Sequence, residues 1–83
     1  MSSYATLAND AVIEMRRAAR ASPASMVHGM AFTLTASGIA LYINVVTFES
    51  GSCRYYIGGH RITRGCLVSR IAEFSPPYIV NKM

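Results

Sequence analysis

The eleven residues from Arg54 to Arg64, RYYIGGHRITR, constrain the fold of this chain more than any other stretch, because they carry three local instructions in succession. Gly58-Gly59 is one of the few dipeptides that accepts positive φ at both central positions of a two-residue hairpin turn. Residues 53–57 and 60–62 therefore read as paired antiparallel strands. Thr63 follows as a helix N-cap, its hydroxyl able to accept a backbone N–H from the first turn of a helix starting at Arg64. Ile62 before the cap and Leu67 after it have the spacing of a hydrophobic staple.

Upstream, 28 residues between Arg20 and Glu49 contain no Asp, Glu, Lys or Arg. On count alone that covers the roughly 20 apolar residues of a helical membrane span, and Arg16, Arg17 and Arg20 would supply its positive flank. The internal pattern argues for strands instead. Met30, Phe32, Leu34 and Ala36 alternate with Ala31, Thr33, Thr35 and Ser37, a period of two. Ser37-Gly38 interrupts the run, and Ile39, Leu41, Ile43 and Val45 then alternate with Ala40, Tyr42, Asn44 and Val46, rich in β-branched and aromatic residues. The reading is a hairpin of two strands at about 27–36 and 39–48, with no membrane span. Residues 49–52 (ESGS) make the next turn.

Helical spacing appears at both ends. In about 3–21, Tyr4, Ala8, Ala11, Val12, Met15 and Ala19 share one face, with Leu7 and Ala18 at its border. Ser3 is a suitable N-cap, and Pro23 is a stop signal that also biases Ser22 away from helical backbone. In about 64–74, Leu67, Ile71 and Phe74 form a buried stripe while Arg70 and Glu73 face water, until Pro76-Pro77 ends the helix. The tail, 76–83, contains Tyr78, Ile79 and Val80, apolar enough to add an edge strand or to dock on a partner. With no repeat and no long linker, the expectation is one α+β domain: helix, antiparallel meander of three to four strands, short helix, with both helices on one sheet face.

Size and composition exclude several function classes. An 83-residue domain removes only about 60% of its unfolded surface from water, which leaves little room for a deep catalytic cleft. Hydrophobic residues make up 52% and charged residues 14%, a profile that folds rather than one that stays disordered. Cys53 and Cys66 have no second Cys or His at ligand spacing, so no zinc site is expected, and no cofactor is implied. The start of the chain lacks a basic stretch followed by an apolar one, from which a reducing cytosol and two free thiols are expected. His28 and His60 and the four acids Asp10, Glu14, Glu49 and Glu73 form no triad, paired carboxylate or metal spacing, and Gly58-Gly59 lies between strands rather than between a strand and a helix as phosphate loops require. The expectation is a protein that binds without catalysing.

Two groups of residues are candidates for that binding. On the first helix, Ile13 stands out from the polar face with Arg16, Arg17 and Arg20 around it, an apolar centre ringed by Arg that suits a protein interface; its bland counterpart is a solvated basic helix end. On the hairpin, Arg54, Tyr55, Tyr56, His60, Arg61 and Arg64 interleave cations with aromatics, as single-strand binders do, although a hairpin needs such residues for its own pairing as well. Alternation requires one of Tyr55 and Tyr56 to face the core, leaving the other free. The net charge of +4, with seven of eight cations being Arg, suits a partner rich in carboxylate or phosphate.

The order of features from Tyr55 to Phe74, an aromatic strand, a glycine turn, a basic return strand and a Thr-capped helix, resembles a segment of small bacteriophage accessory proteins. The whole profile is similar in kind to phage inhibitors of host machinery, of which anti-CRISPR proteins are the best-known class. That resemblance implies a host protein complex as partner, in the host cytoplasm, blocked by steric occlusion without turnover. No functional residue carries over, because such inhibitors share no common motif. This chain departs from the pattern in having Gly65 and Cys66 where an acid often opens the second helix, and in being basic where inhibitors that mimic DNA are acidic. The alternative is a small basic nucleic-acid-binding regulator, and a homodimer through open strand edges is compatible with either.

Overall fold

A computed structural model describes residues 3–21 and 28–83, so the stop signal expected at Ser22-Pro23 and the first position of the expected strand at Val27 lie outside the described residues. The element order is α1 (Tyr4–Ala21), β1 (His28–Ala36), β2 (Ile39–Thr47), β3 (Cys53–Ile57), β4 (His60–Ile62), α2 (Arg64–Ala72) and β5 (Ile79–Lys82). This is an α+β fold with five strands where three to four were expected. The added strand is the apolar tail, which pairs antiparallel with β1 through Leu34↔Val80 and Thr35↔Ile79.

The sheet order is β4-β3-β2-β1-β5, antiparallel throughout, so α2 carries the chain from one edge of the sheet to the other. Both tight turns use the conformations their sequences favour. Ser37 and Gly38 have φ of 53° and 77°, and Gly58 and Gly59 have φ of 59° and 82°, the left-handed pair of a two-residue hairpin whose twist matches the strands. The 28 charge-free residues thus supply β1 and β2, paired over their whole length from His28↔Thr47 to Ala36↔Ile39. No helix among the described residues is long and apolar enough to cross a membrane.

One face of the sheet buries Met30, Phe32, Leu34, Ala36, Ile43, Val45 and Tyr55 against Ala8, Ala11, Val12, Met15 and Ala19 of α1 and Leu67 and Ile71 of α2. The period-two alternation and the helical stripes meet in a single core. Two expected core residues stand outside it. Tyr4 is 50% exposed because, as the first residue of α1, it has packing on one side only, and Ile39 is 52% exposed beside the equally exposed turn residues at the hairpin tip. Ser3 caps α1, its Oγ accepting the Thr6 N–H at 3.2 Å. Thr63 caps α2, in extended backbone, its Oγ1 accepting the Cys66 N–H at 3.1 Å. α2 ends at Ala72, two residues before the expected end, and Ile62 packs on the cluster that contains Leu67.

Candidate functional site

The register of β3 decides which tyrosine is free. Tyr55 lies opposite Val45 and Ile62 and is buried on the helix side, so Arg54 and Tyr56 point to the other face, where Tyr56 lies between Arg61 on β4 and Asn44 on β2. No described element covers that face. Its residues on β1 and β2 are Ala31, Thr33 and Thr35, and Tyr42, Asn44 and Val46, all half-buried or exposed. Tyr42 is 60% exposed and sits two residues from Asn44, hence diagonal to Tyr56, a relation that typically spaces two residues about 7–8 Å apart, within reach of aromatic side chains. None of the five strands contains an Asp or Glu. The open face therefore presents exposed Tyr42 and half-buried Tyr56, Arg54, Arg61 and several neutral hydrogen-bonding side chains with no carboxylate among them. The Arg54 guanidinium is held 4.7 Å from the centroid of the Phe48 ring, a cation–π contact that orders it before any ligand arrives.

Tyr42 was no part of the sequence-based candidate set. The signal was present, because Tyr42 occupies the polar phase of the β2 alternation, between Leu41 and Ile43, and an aromatic there must point away from the core.

The two Arg groups that look separate in the sequence converge beside Tyr55. Burial pushes the Tyr55 hydroxyl above the ordinary tyrosine range and the Cys53 thiol adds to this, while the guanidiniums of Arg16 on α1 and Arg64 on α2 oppose it. Arg64 Nη2 donates to Asn9 Oδ1 at 2.9 Å, tying the start of α2 to α1 across 55 residues of sequence. Arg16 Nε is buried and finds no acceptor among the described residues. Arg20 reaches the β2–β3 turn, with a terminal guanidinium nitrogen 3.4 Å from where a Cβ on Gly51 would stand. Asn9, Ile13, Arg16 and Arg20 thus form one stripe along the flank of α1 nearest β3 and α2, at i, i+4, i+7 and i+11.

Ile13 differs from expectation. It is half-buried rather than fully exposed, because this stripe borders the packed face of the helix, and it sits in a shallow cleft of about 520 Å³ with Arg16, Arg17, Arg20 and Ala21. Arg17 and Arg20 remain exposed, as expected. Asp10 and Glu14 line a different cleft on the opposite flank of α1, toward Pro76, Pro77 and Tyr78. Arg16 and Arg20 therefore lie toward β3 and its preceding turn and the acids toward the C-terminal segment, with exposed Arg17 between them.

A third cleft, of about 370 Å³, lies where short β4 gives way to α2. Cys53, Arg54, Tyr55, Arg61, Ile62, Thr63 and Arg64 line it, with no carboxylate among them. His60 is exposed on β4 opposite Ile57 and lines none of the three clefts described here. Both cysteines are free, Cys53 partly buried beside Thr47 and Cys66 exposed. Among the described residues no three His, Cys, Asp or Glu side chains gather as metal ligands would. No protein-family model, curated protein or solved structure matches this chain.

Proposed function

We propose that this protein is a non-enzymatic binding protein that holds single-stranded nucleic acid on its open sheet face. The observation that carries this reading is the carboxylate-free face on which Tyr42 and Tyr56 are diagonal neighbours and Arg54 and Arg61 flank Tyr56. Bases stack on exposed tyrosines whatever their identity, and guanidiniums neutralise the backbone between them. An acidic protein surface would use the cations but would leave two neighbouring tyrosines on the open sheet face unexplained.

The test is fluorescence anisotropy with a labelled single strand of about 15 nucleotides, at several salt concentrations. Binding should weaken steeply with salt, with a log–log slope near −0.7 per phosphate neutralised. Tyr42→Ala and Tyr56→Ala should each weaken it by about 1–3 kcal/mol, the usual worth of one stacked base. No binding at low salt, or binding indifferent to both substitutions, overturns the reading.

A second reading is supported by the α1 flank: occlusion of a host protein complex by a phage-encoded inhibitor of the anti-CRISPR kind, with the half-buried Ile13 at the centre and Arg16, Arg17 and Arg20 around it. A standard interface takes about 800 Å² from each partner, against the 5140 Å² this chain exposes in total. Capture of a stoichiometric protein partner from bacterial lysate, retained after nuclease treatment and lost in Ile13→Asp/Arg17→Glu, would favour it. Recovery that depends on nucleic acid would return the assignment to the sheet face.

A further inference from the structure

We infer that the outer edge of β5 is a dimerisation strand whose partner is β5 of a second copy of this chain, paired antiparallel about Asn81. β5 has β1 on one side and no described strand on the other. The Met83 N–H donates to the Ala31 carbonyl at 2.9 Å, which fixes the hydrogen-bonding phase: Ile79 and Asn81 also turn their main-chain groups toward β1, and Val80 and Lys82 turn theirs outward. With Asn81 set opposite Asn81 of the second copy, Val80 of each chain exchanges both main-chain bonds with Lys82 of the other. The same register sets Ile79 opposite Met83 on the open sheet face. Both are large apolar side chains left in water, at 54% and 67% exposure, and pairing with each other takes them out of solvent. Sliding the strands by two residues in either direction would set Asn81 against one of these apolar residues instead.

The helix side of this register is complementary in charge. Lys82, the one Lys of the chain, is exposed and lies opposite Phe32, which puts it on the helix side with Val80 and Tyr78. In the dimer it stands opposite Val80 of the other copy and diagonal to Tyr78. Tyr78 lines the cleft that also holds the exposed acids Asp10 and Glu14. The ammonium of each Lys82 is thereby brought beside the acids of the other copy, while its methylene stem covers Val80. The opposite edge of the sheet lacks these properties, because β4 is three residues long and self-pairing about Arg61 would set like charges directly opposite each other. Antiparallel pairing keeps the open faces of both copies on one side of a continuous sheet, so two sets of Tyr42, Tyr56, Arg54 and Arg61 share one surface. Use of that surface for nucleic acid rests on the reading above; the dimer itself does not.

The experiment is sedimentation equilibrium of the whole chain over about 1–500 µM, without nucleic acid. The edge is shorter than a standard interface, so a monomer–dimer equilibrium in the micromolar range is expected. Lys82→Pro removes an outward N–H without breaking a bond to β1. This variant should melt with the parent where both are monomeric, and should stay monomeric throughout. The charge pairing is read separately: Lys82→Glu should weaken association about tenfold or more, and adding Asp10→Lys and Glu14→Lys to that variant should restore it. A lysine that only guards the edge against pairing predicts the reverse, tighter association in Lys82→Gln, and that result overturns the register. A monomer at all concentrations, or a dimer that persists in Lys82→Pro, overturns the proposal. Because no nucleic acid is present, a protein that dimerises but binds no single strand overturns the sheet-face reading alone, and a monomer that binds one overturns the dimer alone.

Discussion

The N-cap at Thr63 offers a quantitative check on how α2 is held, because its contribution reduces to one hydrogen bond. In Thr63→Ala the 3.1 Å bond from Cys66 N–H to Oγ1 disappears, while the main-chain bond from Leu67 N–H to the Thr63 carbonyl, at 3.0 Å, is retained. No acid in the first turn can take over as a substitute partner. Loss of such a cap costs about 1 kcal/mol. Against a total stability of about 4–12 kcal/mol for a domain of this size, that is a measurable fraction, equivalent to a fall in Tm of about 4–8 °C. The series Ser, Gly, Ala at this position is more informative than one variant. Thr63→Ser keeps an acceptor at the same place and should melt near the parent, Thr63→Gly should lose only a few tenths of a kcal/mol, and Thr63→Ala should lose most. Far-UV circular dichroism melts and urea titrations read the order, with an unchanged m value as the sign that only stability moved. Equal melting of the Ser and Ala variants would refute the capping account.

Other outcomes follow from the core, the turn and the phenols of Tyr55 and Tyr78. Leu67→Ala, at a fully buried position where α2 meets α1 and the sheet, should cost about 2–5 kcal/mol, read by urea denaturation. Gly59→Ala places a Cβ at φ of 82°; nothing lies within 4 Å, so the cost, about 1–2 kcal/mol, is pure backbone strain, and Gly65→Ala, in equally open space without positive φ, should show none of it. Stability should decline on the alkaline side. Tyr55 is raised by burial above its ordinary value of 10.0, and Tyr78, whose hydroxyl donates to the Phe74 carbonyl at 2.6 Å, is raised by burial and by Tyr4. A group held protonated more tightly in the folded state contributes in full below pH 10 and loses that contribution as pH rises through the folded value. Urea midpoints between pH 8 and 11 should therefore fall, and fall less in a Tyr55→Phe/Tyr78→Phe protein; identical alkaline limbs would show that neither phenol is responsible.

Those parts of the fold that rest on consecutive residues were legible in the chain itself. The alternation in 30–36 and 39–45 identifies β1 and β2 and their buried phase, Gly58-Gly59 identifies the β3–β4 turn, and Thr63 identifies the start of α2, because side-chain period and φ preference are properties of neighbours in sequence. The same local pattern established that one of Tyr55 and Tyr56 must leave the core but carried no information on which. The choice belongs to register: pairing of Tyr55 with Val45 and Ile62 turns Tyr56 outward beside Arg61 and diagonal to Tyr42. The tail shows the same division. Its apolar character was plain, yet its place beside β1, at the opposite edge from β4, follows from α2 crossing the sheet.

The candidate sites divide along the same line. Sequence by itself determined the supply of Arg, the scarcity of acids and the absence of carboxylate from every strand, since these are matters of composition and pattern. Only the tertiary structure decided that Arg16 and Arg64 share the neighbourhood of one buried tyrosine and that Asn9 holds Arg64 across 55 residues. Local preferences act over one turn of helix or one pleat of strand. Which distant side chains become neighbours depends on how the helices lie on the sheet and on strand order, and both are set by burial of the common core rather than by any single segment.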